Sequence, residues 1–162
     1  NNFREKNSKK RDLTIAIMGH SYLINDDFIS LEIIKHLKTL GVKILTHEMI
    51  KKDQREKASR YQNKPSFWFY NRQIMGATYH LMHKVRGKVD GIIQITAFGC
   101  GPDSLVKELV SLKAKKQKNT YLLNIDLDEH SGEAGLITRL EAFVDLLERR
   151  KSNEKSNFSS FR

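Results

Sequence analysis

The stretch "VDGIIQITAFGCGPDSLVKEL" (Val89–Leu109) decides how this chain folds. From Val89 to Phe98 it is almost entirely apolar or β-branched, the composition of a strand covered on both faces. Two glycines around a cysteine follow, and then an amphipathic run opening at Pro102, a residue favoured in the first turn of a helix. The segment therefore reads as strand, tight turn, helix. Three more apolar runs read as buried strands: "LTIAIMG" (Leu13–Gly19), "VKILTHEM" (Val42–Met49) and "TYLLNIDL" (Thr120–Leu127).

Helical patterns separate these runs. "DDFISLEIIKHLKTLG" places Phe28, Leu31, Ile34 and Leu37 or Leu40 on one face and stops at Gly41, a natural C-terminal cap. A second helix starts near Pro65 and carries Trp68, Ile74, Met75, Tyr79 and Met82. A last helix, "SGEAGLITRLEAFVDLLERRK", takes Ser131 as N-cap and repeats Leu136, Leu140, Phe143 and Leu147. Lys51–Lys64 reads either as a loop or as an exposed helix. Strands alternating with helices predict a three-layer α/β fold, an open parallel sheet of strand order 2-1-3-4 with helices on both faces.

Composition bounds what such a chain does. Its 162 residues suit one domain with a single core. Residues 1–12 read as a disordered or linker-like segment, 13–148 as a single α/β domain, and 149–162 as a polar basic tail. The opening at Asn1, without Met, is what a piece of a longer protein would show. No apolar run reaches the roughly 18 residues of a membrane span, and no signal peptide opens the chain. A single cysteine excludes an internal disulfide and suits a reducing cytoplasm. The net charge of +10 raises nucleic acid as a partner. The charge sits in the ends, in Lys51–Lys64 and in "KAKKQKN" (Lys113–Asn119), without the interleaved aromatics of a base-stacking platform. Specific nucleic-acid binding is therefore not expected, and a basic surface equally suits an acidic partner domain or the phosphates of a coenzyme.

In an open parallel sheet, ligands bind beyond the carboxyl ends of the strands, where the strand order reverses. Order 2-1-3-4 puts that crevice between the first and third strands. It gathers the loops "GHSYLINDD" (Gly19–Asp27), "GCGPDS" (Gly99–Ser104) and "DLDEHSGEAG" (Asp126–Gly135) on one edge. Cys100 stands just before a helix, whose free N–H groups and dipole favour a thiolate over a thiol. Gly99 and Gly101 allow unusual backbone angles and close approach of a bulky group. Neither a dinucleotide fingerprint nor a phosphate-binding P-loop is present. The histidines His20, His47, His80, His83 and His130 lack zinc-ligand spacing, and His80 with His83 reads as a partly exposed helix face. A cysteine nucleophile would need His20 or His130 beside Cys100, with no third orienting residue evident.

"FGCGPDSL" together with "IDLDEHSGEAGLITRLEAFVDLL" resembles the acyl-CoA dehydratase activase-related proteins, relatives of the iron–sulfur component of 2-hydroxyacyl-CoA dehydratases and of the double-cubane cluster proteins. The similarity runs from "IMGHSYLINDDF" (Ile17–Phe28) through "KPSFWFYNRQIMGA" (Lys64–Ala77) to Leu147. It implies an α/β domain forming one wall of a cleft in a cytoplasmic protein, serving low-potential electron transfer in an anaerobe's acyl-CoA or reductive chemistry. It further implies an iron–sulfur cluster with Cys100 as metal ligand, a CoA thioester as substrate, and other domains or subunits of the same system as partners, an ATP-dependent activase module among them. One thiolate does not satisfy a cubane, so the remaining ligands would come from elsewhere. Around the cluster or an anionic ligand, His20, Asp103, Ser104, Glu129 and His130 are the expected hydrogen-bonding residues. Arg139 is expected to hold Glu141 or Glu133, while Tyr22 and Trp68 are expected to pack. Alone, the chain should be neither an ATPase nor a complete dehydratase. The alternative reading is a cluster-free module that docks a protein or binds a CoA, nucleotide or phosphate group, in which Gly99, Gly101 and Ser104 matter more than Cys100.

Overall fold

The computed structural model describes residues 11–61, 66–84, 88–117 and 120–159, with backbone only for Lys84 and 155–159. In chain order the elements are β1 (Thr14–Met18), α1 (Ser21–Asn25), α2 (Ile33–Thr39), β2 (Lys43–Thr46), α3 (Lys52–Ser59), α4 (Phe69–Lys84), β3 (Gly91–Ala97), α5 (Gly101–Lys115), β4 (Leu122–Leu127) and α6 (Glu133–Ser159). The four strands form one parallel sheet of order β2-β1-β3-β4, the predicted α/β arrangement. Residues 1–10 of the predicted N-terminal segment, the expected helix start at Pro65 and the end of the basic run at 118–119 lie outside the described residues.

The two-residue repeat of the strands divides the core between the faces. Ile15, Ile17, Ile93 and Ile95 pack with Leu23, Ile33, Leu37, Leu140 and Val144, from α1, α2 and α6. Ala16, Met18 and Ile92 turn the other way, onto Ile74, Met75, Val106 and Val110 of α4 and α5. The inner strands β1 and β3 are buried almost throughout, which is why both read as unbroken apolar runs.

The segment from Asp26 to Gly41 is not one helix. The Asp26 carboxylate accepts the N–H groups of Phe28 and Ile29, both at 3.0 Å, and Leu31 and Glu32 take left-handed φ of 51° and 55°. A side chain that captures backbone donors this way competes with the helical ladder. Helix therefore begins only at Ile33, and Phe28, expected on the core face, is 90% exposed. Its end is as expected. Gly41, at φ 76°, donates to the Lys38 carbonyl while Val42 donates to that of Leu37, a Schellman cap.

Of the two readings of Lys51–Lys64, the helical one holds for Lys52–Ser59. This short helix packs against α4. A Cβ placed on Gly76 of α4 would stand 2.1 Å from the Arg55 carbonyl oxygen, so the absence of a side chain sets how closely the two helices approach. At the other end of the chain α6 runs on through the polar residues to Ser159. Arg150 lies over the Tyr121 ring at 4.2 Å, and Lys151 pairs with Asp90 at 3.1 Å. Among the described residues no helix is long and apolar enough to cross a membrane.

Gly76→Ala is expected to destabilise the fold by about 2 kcal/mol, because overpacking against a rigid carbonyl outweighs the better helix propensity of alanine. Urea unfolding followed by circular dichroism checks this. An unchanged or higher midpoint would mean that α3 is free to move away.

Candidate functional site

The strand order reverses between β1 and β3, and both strands leave the sheet at the same edge. β1 is followed by Gly19, where a Cβ would sit 2.7 Å from the Ile95 carbonyl oxygen; no side chain is accommodated where the chains run this close. The next residue, His20, precedes α1 and turns its ring toward α5. There its Nε2 lies 2.9 Å from Asp103 Oδ1. The same oxygen accepts Asn71 Nδ2 of α4 at 2.9 Å. An ionised carboxylate only accepts, so Nε2 carries the His20 proton in this pairing. Asp103, 3% exposed in the first turn of α5, therefore ties the exits of β1 and β3 to α4.

The second oxygen of Asp103, Oδ2, has no partner, nor does Gln94 Oε1 in the middle of β3. Both residues line a cavity of about 10 Å³ shared with Gly19, His20, Asn71 and Thr96. That volume is the size of a single water, and two unmatched acceptors suit one donor between them. The outer side of His20 is aromatic. Its ring stacks on Tyr22 at 5.8 Å between centroids and meets Tyr70 at 6.0 Å. Burial pushes the Tyr22 hydroxyl above its ordinary pKa, and the negative charges of Asp103 and Cys100 add to the shift.

Cys100 is the N-cap residue of α5, with φ −77° and ψ 105°, partly exposed, and its thiol makes no capping bond. Its carbonyl receives both the Ser104 N–H and the Ser104 hydroxyl, at 2.9 Å each. Gly99 takes a left-handed φ of 76°, and a Cβ at Gly99 or Gly101 would meet nothing within 4 Å. Neither neighbour of Cys100 carries a side chain, and the space where one would stand is open at both.

Not every expected site residue joins this group. Glu129 and His130 follow β4, but their side chains are 80% and 86% exposed and pair with each other at 3.6 Å. Ser131 does not cap α6; it folds back on Asp128, closing a turn before the helix starts at Glu133. Arg139 bonds the Asn124 carbonyl of β4 rather than Glu133 or Glu141. Tyr22 and Trp68, expected to pack, are 51% and 45% exposed. Asn71, Gln94 and Tyr70 were not singled out by their sequence. A signal for Gln94 is present, since it is a lone amide in an apolar stretch, whereas Asn71 stands in the polar triplet Asn71-Arg72-Gln73 and has none.

A second polar link fixes α5 over the sheet. Lys107 Nζ contacts both oxygens of Asp126 at 2.6 and 2.8 Å, and Thr96 donates to the same carboxylate. Burial is the largest single influence on Asp126 and acts upward, but the bonds from Lys107 and Thr96 outweigh it and hold the carboxyl below its ordinary pKa.

The chain has one thiol, and among the described residues no group of three or more His, Cys, Asp or Glu is placed to hold an ion. Cys100 fits one corner of a cluster and no more.

Fold and site together define an α/β domain that presents a thiol and a polar network at a switch-point crevice. Residues 1–50, which carry β1, α1, α2 and β2, match the family described as "CoA enzyme activase uncharacterised domain (DUF2229)". The match agrees with the activase-related resemblance read from the sequence. No curated protein and no solved structure matches the chain.

Two outcomes are expected. In a double-mutant cycle, His20→Ala and Asp103→Ala should couple by about 1–3 kcal/mol in unfolding free energy; independent effects would mean the pair is not formed in solution. Lys107→Met should raise the Asp126 carboxyl, read by NMR titration. Because the folded pKa is depressed, the stabilisation is present above the ordinary value of 3.8 and is lost as the pH falls through the folded value. The variant should therefore lose less stability on acidification than the parent.

Proposed function

We propose that this chain is one wall of the cleft in an activase-related iron–sulfur protein of the 2-hydroxyacyl-CoA dehydratase group. In it Cys100 offers a single thiolate to a cluster completed by another domain or subunit. The observation that carries the reading is the placement of the only thiol, partly exposed and uncapped, at the N-terminus of α5 on the switch-point edge. A thiolate there is favoured by the free N–H groups and dipole of the helix. Open space beside Gly99 and Gly101 admits a bulky inorganic group.

A cluster so held would supply low-potential electrons. The chain's own residues do the rest. His20, held by Asp103 and flanked by Tyr22 and Tyr70, stands at the exit of β1 on the same sheet edge as the thiol, and polar groups around a cluster tune its potential. Glu129 and His130 stand outside this network and are not needed for it.

Anaerobic purification together with the natural flanking domains or subunits, with iron and acid-labile sulfide measured per protomer, tests the reading. Both should be present in the parent and markedly reduced in Cys100→Ser. Iron and sulfide absent from the parent, or unchanged in the variant, would overturn it.

A further inference from the structure

We propose that the outer side of α5 docks an amphipathic helix with acidic flanks, carried by a partner protein. Leu105, Leu109 and Leu112 are spaced by four and three residues, which puts them on one side of the helix. They are 51%, 38% and 45% exposed. The inward side of α5 is already filled by Val106, Val110 and Ala114. The flank toward β4 is taken by Lys107 and Ser111, which bond Asp126 and Asn124. The three leucines serve neither the core nor the sheet. Spacing of i, i+4 and i+7 is what an apolar helix face recognises in a facing helix.

Charge selects the occupant. The stripe runs into Lys113, Lys115 and Lys116, the first lying over the Tyr79 ring at 5.9 Å and the other two exposed. Asp103 being buried, Glu108 is the one exposed carboxylate of α5. A second copy of this chain, with net charge +10, would bring like charge onto the same cations. A nucleic-acid backbone would match the lysines but leave the leucines uncovered. A helix with leucine-class residues along one side and carboxylates at its margins satisfies both features at once. This surface begins one turn beyond Cys100 but makes no demand on the thiol, so docking and cluster binding stand or fall separately.

The test uses the full chain and a fluorescein-labelled, helix-stabilised peptide. The peptide has three leucines at i, i+4 and i+7 and glutamates on both margins. Fluorescence anisotropy should show saturable binding, weakened about tenfold or more by Leu109→Glu with Leu112→Glu, and weakened severalfold between roughly 0.05 and 0.5 M salt. Both leucines are exposed, so the variant should keep the parent circular dichroism and unfolding midpoint. Lys113→Glu with Lys116→Glu should lose the acidic peptide and gain a lysine-margined one, and Cys100→Ser should bind like the parent. The proposal is overturned by any of three results: no binding, equal binding to the leucine variant, or a dimer in sedimentation that the leucine variant abolishes. Competition for the same face by single-stranded RNA that survives the leucine changes would equally overturn it.

Discussion

One buried carboxylate holds the functional edge of this domain together. Asp103 is nearly inaccessible, and a lone carboxylate in such a place is costly to bury. Three things offset that cost. Its Oδ1 accepts two donors, His20 and Asn71, and the residue lies in the first turn of a helix, where backbone N–H groups and the dipole favour negative charge. Each partner comes from a different element. The single side chain thereby sets the position of the α5 N-terminus against the exit of β1 and the start of α4. Cys100 inherits its place from that arrangement, three residues upstream on the same helix start. Gly19 completes it, since any side chain there would push β1 away from the Ile95 carbonyl.

Most of the fold was legible because a doubly covered parallel sheet leaves a coarse mark. β1 and β3 can expose nothing, so they read as unbroken apolar runs, and the helices between them read through their apolar spacing. Where a short-range polar contact overruled that spacing, the reading failed. Phe28, Leu31 and Ile34 have helical periodicity, but Asp26 captures two backbone N–H groups and turns the chain before Ile33. Ser131 has the composition of an N-cap and instead serves Asp128. Both cases turn on which of two nearby donors a small polar side chain bonds, and periodicity carries no information on that choice.

The site was legible to the level of the sheet edge and no further. Parallel strands in the order β2-β1-β3-β4 bring the loops of His20, Cys100 and Glu129 to one edge whatever their side chains do. Topology does not tell which side chains turn inward. His20 does, because a carboxylate waits in α5. Glu129 and His130 do not; their exposed side chains pair with each other, and the His130 backbone N–H is taken by Asp128. Gln94 and Asn71 are illegible for the opposite reason: an amide inside an apolar run, or one beside Arg72 and Gln73 at a helix start, carries no mark of the buried acceptor or cavity it faces.

The helix that carries Cys100 is held at each of its first three turns, and this bears on both roles proposed for it. Asp103 fixes its first turn, Lys107 its second through Asp126, and Ser111 its third through Asn124, while Val106, Val110 and Ala114 fill the layer beneath. An element held at successive turns loses little further freedom when something binds it, so less of the interaction is spent on ordering. Under the proposed cluster reading, a single thiol meeting ligands from another chain would require that economy, since one misplaced corner weakens every other bond of a shared cluster. An apolar stripe of three leucines gains from the same rigidity, because its spacing is kept only while the helix is straight and anchored. The contacts that bury one side of α5 are therefore what make both its N-terminus and its outer side usable, each independently of the other.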